Sequence, residues 1–387
     1  VLPAIVNLKK EKPMSGNRQI LSTVTEGGEA ILSIVENDIP TPGPDEVVVR
    51  IEASPINPSD MFPLLGFADY SKGKLISEGN QHKMVAPVPE GMLAPMKARI
   101  GQSLPVGNEG AGTIVAAGDN VKQMEGKLVS LVTGASYQQF VKVPAAMCLV
   151  HNEGTTAEEA ASSFVNPLTA LCFIETMRAE GHKAILHTAA ASNLGQMLLK
   201  LCLQDDIDLV CIIRSDEQAK ILKDLGAKYV INSKDADFTS QLEDAIADTQ
   251  ASLAFDAIGA GDMADTLLAA MERAFSRSAS GLNTYGSDQF KQVYVYGRLG
   301  MGQITLGQAY GMHWACGGYL LTPNLQKMGP EKLGAMQARV ADEIKTTFAS
   351  HITDTLSLLE AIDPANVARY MPKKTGEKYL VQPQKDI

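Results

Sequence analysis

The sequence predicts an α/β protein, a doubly wound parallel sheet set between the two parts of a β-rich domain. Three features carry the prediction. Apolar strands alternate with helical runs from Ala184 onward, the chain before about residue 150 reads almost wholly as strands and turns, and the apolar run Tyr379–Val381 stands near the end, where it can return to the first domain. A chain of 387 residues is long enough for two cores of ordinary size. The expected division is 1–160 with 322–387 as a discontinuous β-rich domain, and 161–321 as the parallel-sheet domain.

Composition narrows the classes of function. With 45% hydrophobic and 20% charged residues the chain reads as globular. Its net charge of −10 excludes general nucleic-acid binding, which needs a basic face. No apolar run reaches the roughly 18 residues of a membrane span, so no membrane partner is expected. The chain does not open on a basic segment followed by an apolar one, so no secretory leader is expected. Cys148, Cys172, Cys202, Cys211 and Cys316 lie scattered, mostly inside apolar runs, which reads as reduced thiols in a cytoplasmic protein.

Taken in order, Ala30–Val35 and Glu46–Ala53 are β-branched strands, with a rigid turn at Pro40–Pro44 between them. The second strand delivers Asn57, Ser59 and Asp60 into a loop fixed by two prolines. Residues 61–105 show no clear pattern and read either as a long binding or covering loop or as a solvated surface insertion, in which Lys72, Lys74 and Lys83 form a solvated charged patch. The glycines of 106–118 precede a strand, Thr113–Val115, so they read as close strand packing and not as a phosphate loop. Gly126–Val132 and Tyr137–Pro144 continue an antiparallel, barrel-like domain. Helices then start near Thr155 and Asn166.

The most informative stretch is Ala184–Cys202. A strand meets small residues and a helical run begins near Gly195, an arrangement that brings backbone N–H groups and a helix N-terminus to a phosphate. Ala189, Ser192 and Gly195 stand in the pattern A-x-x-S-x-x-G, which keeps the last glycine of a dinucleotide fingerprint. The next strand, Asp208–Ile213, ends at Arg214 and Ser215. An acid there would hold the ribose of NAD, whereas Arg suits the 2′-phosphate of NADP, so NADPH is the expected cofactor. Asp216 is expected to cap helix 217–225.

Further alternation follows: strand 228–231, helix 238–247, strand 252–258, helix 263–274 and strand 292–296. Ligands of such sheets lie at the strands' carboxyl ends. The expected cofactor groove is therefore lined by Thr188, Ala189, Ser192, Asn193, Leu194, Gly195, Arg214, Ser215, Asn232, Ile258, Gly259, Gly297 and Arg298. A helix from Pro330 to about Phe348 precedes the last strand.

Four ordered stretches, Ile56–Asp60, Gly107–Gly110, Val165–Ala170 and Ala189–Gln196, resemble the medium-chain dehydrogenase/reductase superfamily. Its zinc-independent quinone oxidoreductases and 2-enoyl thioester reductases are the most similar branches. The resemblance spans nearly the whole chain and implies a GroES-like catalytic domain, a Rossmann domain, a homodimer, and Asn166 and Thr169 as further cofactor contacts. The enoyl reductases place a tyrosine shortly after the Asn-Pro-Ser-Asp segment as proton donor. The ungapped position here is Ala68, and Tyr70 stands two residues later.

A catalytic zinc needs three protein ligands and an open position. Zinc-containing relatives carry Cys near the Asn57 loop and His beside Glu109; this chain has Ile56, Asn57 and Asn108, so no metal is expected and Glu109 is expected to make a structural hydrogen bond. Without a Lewis acid for an alkoxide, hydride addition to a conjugated acceptor is the easier chemistry. The expectation is an NADPH-dependent oxidoreductase acting on a small-molecule electron acceptor, a quinone or other α,β-unsaturated carbonyl. Asn57 orients the reactants and Tyr70 donates a proton. The alternatives are a 2-enoyl thioester reductase, or an NADPH-binding sensor or structural protein with little turnover.

Overall fold

The fold is described from a computed structural model for residues 16–277, 283–300 and 302–385. Two β-sheets build the first domain. One has five strands in the order Lys74–Glu78, Gln81–Pro87, Glu29–Asn37, Asn17–Val24, Ser103–Pro105. The other runs Cys148–Val150, Leu128–Val132, Glu109–Ala117, Glu46–Pro55, Tyr379–Val381, Asp354–Leu356, and Phe140–Pro144 also pairs with Glu46–Pro55. Alternation of buried and exposed residues along Asn17–Val24 and Glu29–Asn37 puts Ile20, Val24, Leu32 and Ile34 into the core. Tyr379–Val381 pairs antiparallel with Ser54 and Pro55, so the chain's end does return to its beginning.

Gly112 shows why the 106–118 glycines belong to strand packing. A Cβ built there would lie 1.9 Å from the Arg50 carbonyl oxygen, where the pairing of the two strands shifts register.

Residues 61–105 depart from the expected loop. Lys74–Glu78 and Gln81–Pro87 form a hairpin around Gly79 and Asn80, and its second strand adds to Glu29–Asn37. Gly79 takes a positive φ of 60°, as a two-residue hairpin turn requires. The whole outer strand is exposed, so it has no apolar alternation to reveal it.

The second domain is a six-stranded parallel sheet in the order Tyr229–Asn232, Leu209–Ile213, Ile185–Thr188, Leu253–Asp256, Lys291–Val295, Trp314–Gly318. Helices cover both faces, as the unbroken burial of the four inner-run residues Leu253–Asp256 reflects. Trp314–Gly318, an edge strand of small residues, had no sequence signal. The helix expected from Pro330 begins earlier: helical residues run from Leu321 to Glu343, with a break at Gly329 (φ 80°, ψ 168°) just before Pro330. Among the described residues no helix is long and apolar enough to cross a membrane.

His187 belongs to an aromatic cluster on one face of this sheet. Phe173 stacks on Phe255 with centroids 3.7 Å apart, and His187 lies parallel to Tyr296, whose hydroxyl is 2.8 Å from its Nε2. Burial pushes the imidazole down to about 3. The unfolded chain therefore takes up this proton near pH 6.5 and the folded chain only near 3, so stability falls as pH drops between those values. Urea denaturation of His187→Gln is expected to show a shallower loss between pH 6.5 and 4 than the parent; parallel curves would remove His187 as a cause.

Candidate active site and coenzyme groove

The strand Ile185–Thr188 ends in a turn at Ala189, which adopts a left-handed φ of 51°. Helix Asn193–Gln204 follows, two residues earlier than expected, because the Ser192 side chain caps it by accepting from Gly195 N at 3.2 Å. Gly195 lies directly on the turn: a Cβ there would be 2.1 Å from the Ala190 carbonyl oxygen. The N–H groups of Asn193 and Leu194 have no partner among the described residues, and they stand at the positive end of a twelve-residue helix. That is the local chemistry a pyrophosphate needs.

The neighbouring strand ends are tied together by Asp256, which is 1% exposed. It accepts from the Thr188 hydroxyl at 2.7 Å, Ile258 N at 2.9 Å and Gly259 N at 3.0 Å, while Thr188 Oγ1 accepts from Ala257 N at 2.8 Å. Gly259 and Gly297 come into contact, since a Cβ on Gly259 would sit 2.2 Å from the Gly297 carbonyl oxygen. Small residues at both strand ends thus let the two turns pack closely.

Arg214 is exposed at the end of Leu209–Ile213, with no side-chain partner among the described residues. Ser215, not Asp216, caps the following helix Asp216–Asp224, because its hydroxyl accepts from Gln218 N at 3.4 Å. Asn232 is at the outer edge strand and bonds its own turn through Lys234 N, and Arg298 is exposed at the far side. Asn166 and Thr169 lie on the first turns of helix Val165–Ala179, where the Thr169 hydroxyl bonds back to the Val165 carbonyl.

Asn57 occupies a buried polar network. Its Nδ2 donates to Glu109 Oε1 at 2.8 Å, and its Oδ1 accepts from Lys378 Nζ at 3.2 Å. Glu109 Oε2 accepts from Phe164 N and Val165 N at 2.9 and 2.8 Å, so the carboxylate caps the helix that carries Asn166 and Thr169. The structural hydrogen bond expected of Glu109 is therefore present, and it ties strand Glu109–Ala117 to helix Val165–Ala179. Asp60 accepts from Asn57 N and Asn108 N, both at 2.8 Å. Asn57, Asp60, Glu109 and Lys378 are 2, 0, 1 and 7% exposed, so each charge needs the others. Burial raises the Glu109 carboxyl, lowers the Lys378 ammonium, and pushes Asp60 up to about 7.

The structure places Thr188, Ala189, Ser192, Asn193, Leu194, Gly195, Ile258, Gly259 and Gly297 at or just beyond the carboxyl ends of neighbouring strands, with Arg214 and Ser215 on the adjoining strand end. Tyr70 is elsewhere. It opens a short turn, Tyr70–Lys72, and packs against the first domain's core, with no hydrogen bond to its hydroxyl among the described residues. Ala68, at the ungapped position, is buried and carries no proton to give. Asp256, Gln218 and Lys378 were missed; only Asp256 had a signal, as the acid ending a buried strand. Among the described residues no three His, Cys, Asp or Glu side chains cluster as metal ligands.

Comparison with known proteins fits this geometry. The family model described as zinc-binding dehydrogenase matches residues 194–309. The synaptic vesicle membrane protein VAT-1 homolog of Rattus norvegicus is 27% identical over 229 residues, 58% of this chain and 49% of that protein. The mitochondrial enoyl-[acyl-carrier-protein] reductase 1 of Debaryomyces hansenii is 28% identical over 246 residues, 56% of this chain and 59% of that one. These alignments span about half the length of the curated relatives. A crystal structure of a Mesorhizobium loti protein provisionally named an NADPH:quinone reductase is 25% identical, covers 96% of this chain and 100% of its own, and superposes with a TM-score of 0.69. With its β-rich domain and its six-stranded parallel sheet, the chain has the fold of the medium-chain dehydrogenase/reductase superfamily of oxidoreductases.

Proposed function

We propose that the protein is an NADPH-dependent, zinc-independent reductase of quinones or other α,β-unsaturated carbonyls. The observation that carries this is the pairing of a phosphate-accepting turn at Ala189–Gly195 with an exposed, unpartnered Arg214 at the next strand end. The close approach at Gly195 and the open N–H groups of Asn193 and Leu194 fit a dinucleotide. When bound, NADPH supplies a hydride.

The chain's own residues position and shield. Asn57 is held at both ends of its amide by Glu109 and Lys378, so its orientation is fixed before a reactant arrives. Glu109, by capping helix Val165–Ala179, sets the helix carrying Asn166 and Thr169 relative to that amide. Asn57 and Asn108 supply amides where zinc-containing relatives have thiolate and imidazole, a donor set unsuited to zinc. Tyr70 is proposed to give the proton that completes reduction, from the first-domain side.

A 2-enoyl thioester reductase and a low-turnover NADPH-binding protein are the alternatives, the former favoured by the similarity to an enoyl-[acyl-carrier-protein] reductase. Turnover of a simple quinone, a 2-alkenal and a 2-enoyl thioester by the parent and by Tyr70→Phe separates the readings. Quinone turnover reduced about tenfold or more in Tyr70→Phe is the expected result. Thioester turnover alone favours the first alternative, no turnover the second, and an unaffected Tyr70→Phe variant removes the tyrosine.

We also propose domain limits of 1–160 with 322–387, and 161–321, a cytoplasmic setting supported by five unpaired cysteines, and a homodimer. The free sheet edge Trp314–Gly318 carries no charge, and Met312 and Leu320 beside it are 78 and 67% exposed, which supports pairing of two copies there. Sedimentation at twice the chain mass is expected, and a single-chain mass contradicts it.

A further inference from the structure

A loop from the C-terminal part of the first domain reaches the strand end that carries Arg214. Helix Pro364–Tyr370 is followed by Met371–Glu377, which leads into the last strand, Tyr379–Val381. Within this loop Lys373 takes a left-handed φ of 53°, and Lys373, Lys374 and Thr375 are all exposed. The contact with the parallel-sheet domain runs through Gln218. Its Oε1 accepts from Arg214 N at 3.1 Å, and its Nε2 donates to Thr375 Oγ1 at 2.8 Å. One amide therefore joins the backbone of Arg214 to the loop, and both of its ends are committed.

The charges at this place do not balance without the loop. Arg214 is followed, after Ser215, by Asp216 and Glu217, so the strand end alone presents one cation and two carboxylates. A 2′-phosphomonoester carries roughly −1.5 to −2 at neutral pH, and one exposed guanidinium next to two acids is a poor match for it. The loop adds two ammonium groups. Lys374 Nζ lies 3.8 Å from Glu377 and is spoken for, whereas Lys373 has no partner among the described residues. Its long, flexible stem suits a point-charge contact to phosphate, complementing the planar fork of Arg214.

We infer that the 2′-phosphate of the coenzyme is gripped from both domains, by Arg214 at the strand end and by Lys373 on the C-terminal loop, with Gln218 as the positioning residue that holds the two together. This rests on the NADPH reading above and extends it: coenzyme choice is written across the domain boundary, and the phosphate helps hold the loop of the first domain against the helix of the second. A coenzyme lacking the phosphate leaves, among the described residues, the Gln218–Thr375 bond between the loop and that helix, one neutral hydrogen bond at an exposed site.

The test uses the full chain and two nucleotide fragments, 2′,5′-ADP and AMP, which differ only in that phosphate. Calorimetry gives the ratio of their affinities for the parent, Arg214→Ala, Lys373→Ala, Lys373→Arg and Gln218→Leu. The parent is expected to favour 2′,5′-ADP by tenfold or more, with the ratio falling about tenfold in Arg214→Ala and in Lys373→Ala. Gln218→Leu lowers it about threefold, since the loop is released but its cation remains, and Lys373→Arg restores it. A ratio that falls in Arg214→Ala and stays at the parent value in Lys373→Ala overturns this inference alone. A parent with no preference overturns the NADPH reading and the inference with it. Equal weakening of both fragments by Lys373→Ala shows a merely structural loop and also overturns it.

Discussion

Glu109→Ala is expected to cost about 3–5 kcal/mol of folding stability, as removing one charge from a buried, hydrogen-bonded charge network does. Three donors lose their acceptor, and one cation loses a nearby countercharge. The Lys378 ammonium, 7% exposed, loses its countercharge; Asn57 Nδ2 loses its 2.8 Å bond; and Phe164 N and Val165 N are left uncapped at the start of helix Val165–Ala179. Because this helix carries Asn166 and Thr169, coenzyme binding is expected to weaken along with stability. Glu109→Gln keeps one acceptor oxygen but not the charge, and should fall between the two. Equilibrium urea unfolding measures the cost, and a change below about 1 kcal/mol would show that water replaces the carboxylate and that the network does not tie strand Glu109–Ala117 to that helix.

Gly195→Ala is expected to destabilise the protein by about 2–3 kcal/mol and to weaken coenzyme binding tenfold or more. The new Cβ would stand 2.1 Å from the Ala190 carbonyl oxygen, a backbone atom of the turn itself, so the helix must move away from the strand. The N–H groups of Asn193 and Leu194 move with it. Gly334→Ala is the internal comparison. It lies in the helical stretch Leu321–Glu343 with nothing within 4 Å of an added Cβ, and should be neutral or stabilising by about 0.5–1 kcal/mol. Thermal melts and coenzyme fluorescence titrations of the two variants decide the matter: similar behaviour would mean that the turn is looser than its geometry.

The second domain was legible because its central strands are buried on both faces and read as unbroken apolar runs, while helices such as Asn193–Gln204 keep an amphipathic period. Every predicted strand from Ala184 to Tyr296 is present, shifted by only a few residues. The short return strand was legible for the same reason. Where burial is one-sided or absent, the pattern fails. Lys74–Glu78 is fully exposed and reads as a charged loop, although Gly79-Asn80 between two runs was a usable hairpin signal. Trp314–Gly318 is three small residues and a tryptophan before a final glycine, too short for a period to emerge. Helix 321–343 was half read, since Pro330 looks like a start and is in fact the resumption after Gly329.

The candidate site divides along the same line. Contacts within one turn, such as Ser192 to Gly195, follow from local spacing. Lys378 to Asn57 joins residues 321 positions apart, and Gln218 to Thr375 joins residues 157 apart, so no window of sequence holds both partners. Asn57 stands in the sequence as a polar group on a proline-fixed loop, and its fixation by Glu109 and Lys378 is visible only in three dimensions.

The central claim is that this chain passes hydride from NADPH to a conjugated acceptor without a metal. The most direct test is the rate of NADPH oxidation by a simple quinone, with NADH in parallel, in protein dialysed against a chelator. Saturable oxidation with a strong preference for NADPH, unchanged when zinc is restored, is the predicted result. A rate that depends on added zinc, equal or greater use of NADH, or no oxidation despite tight NADPH binding would contradict it.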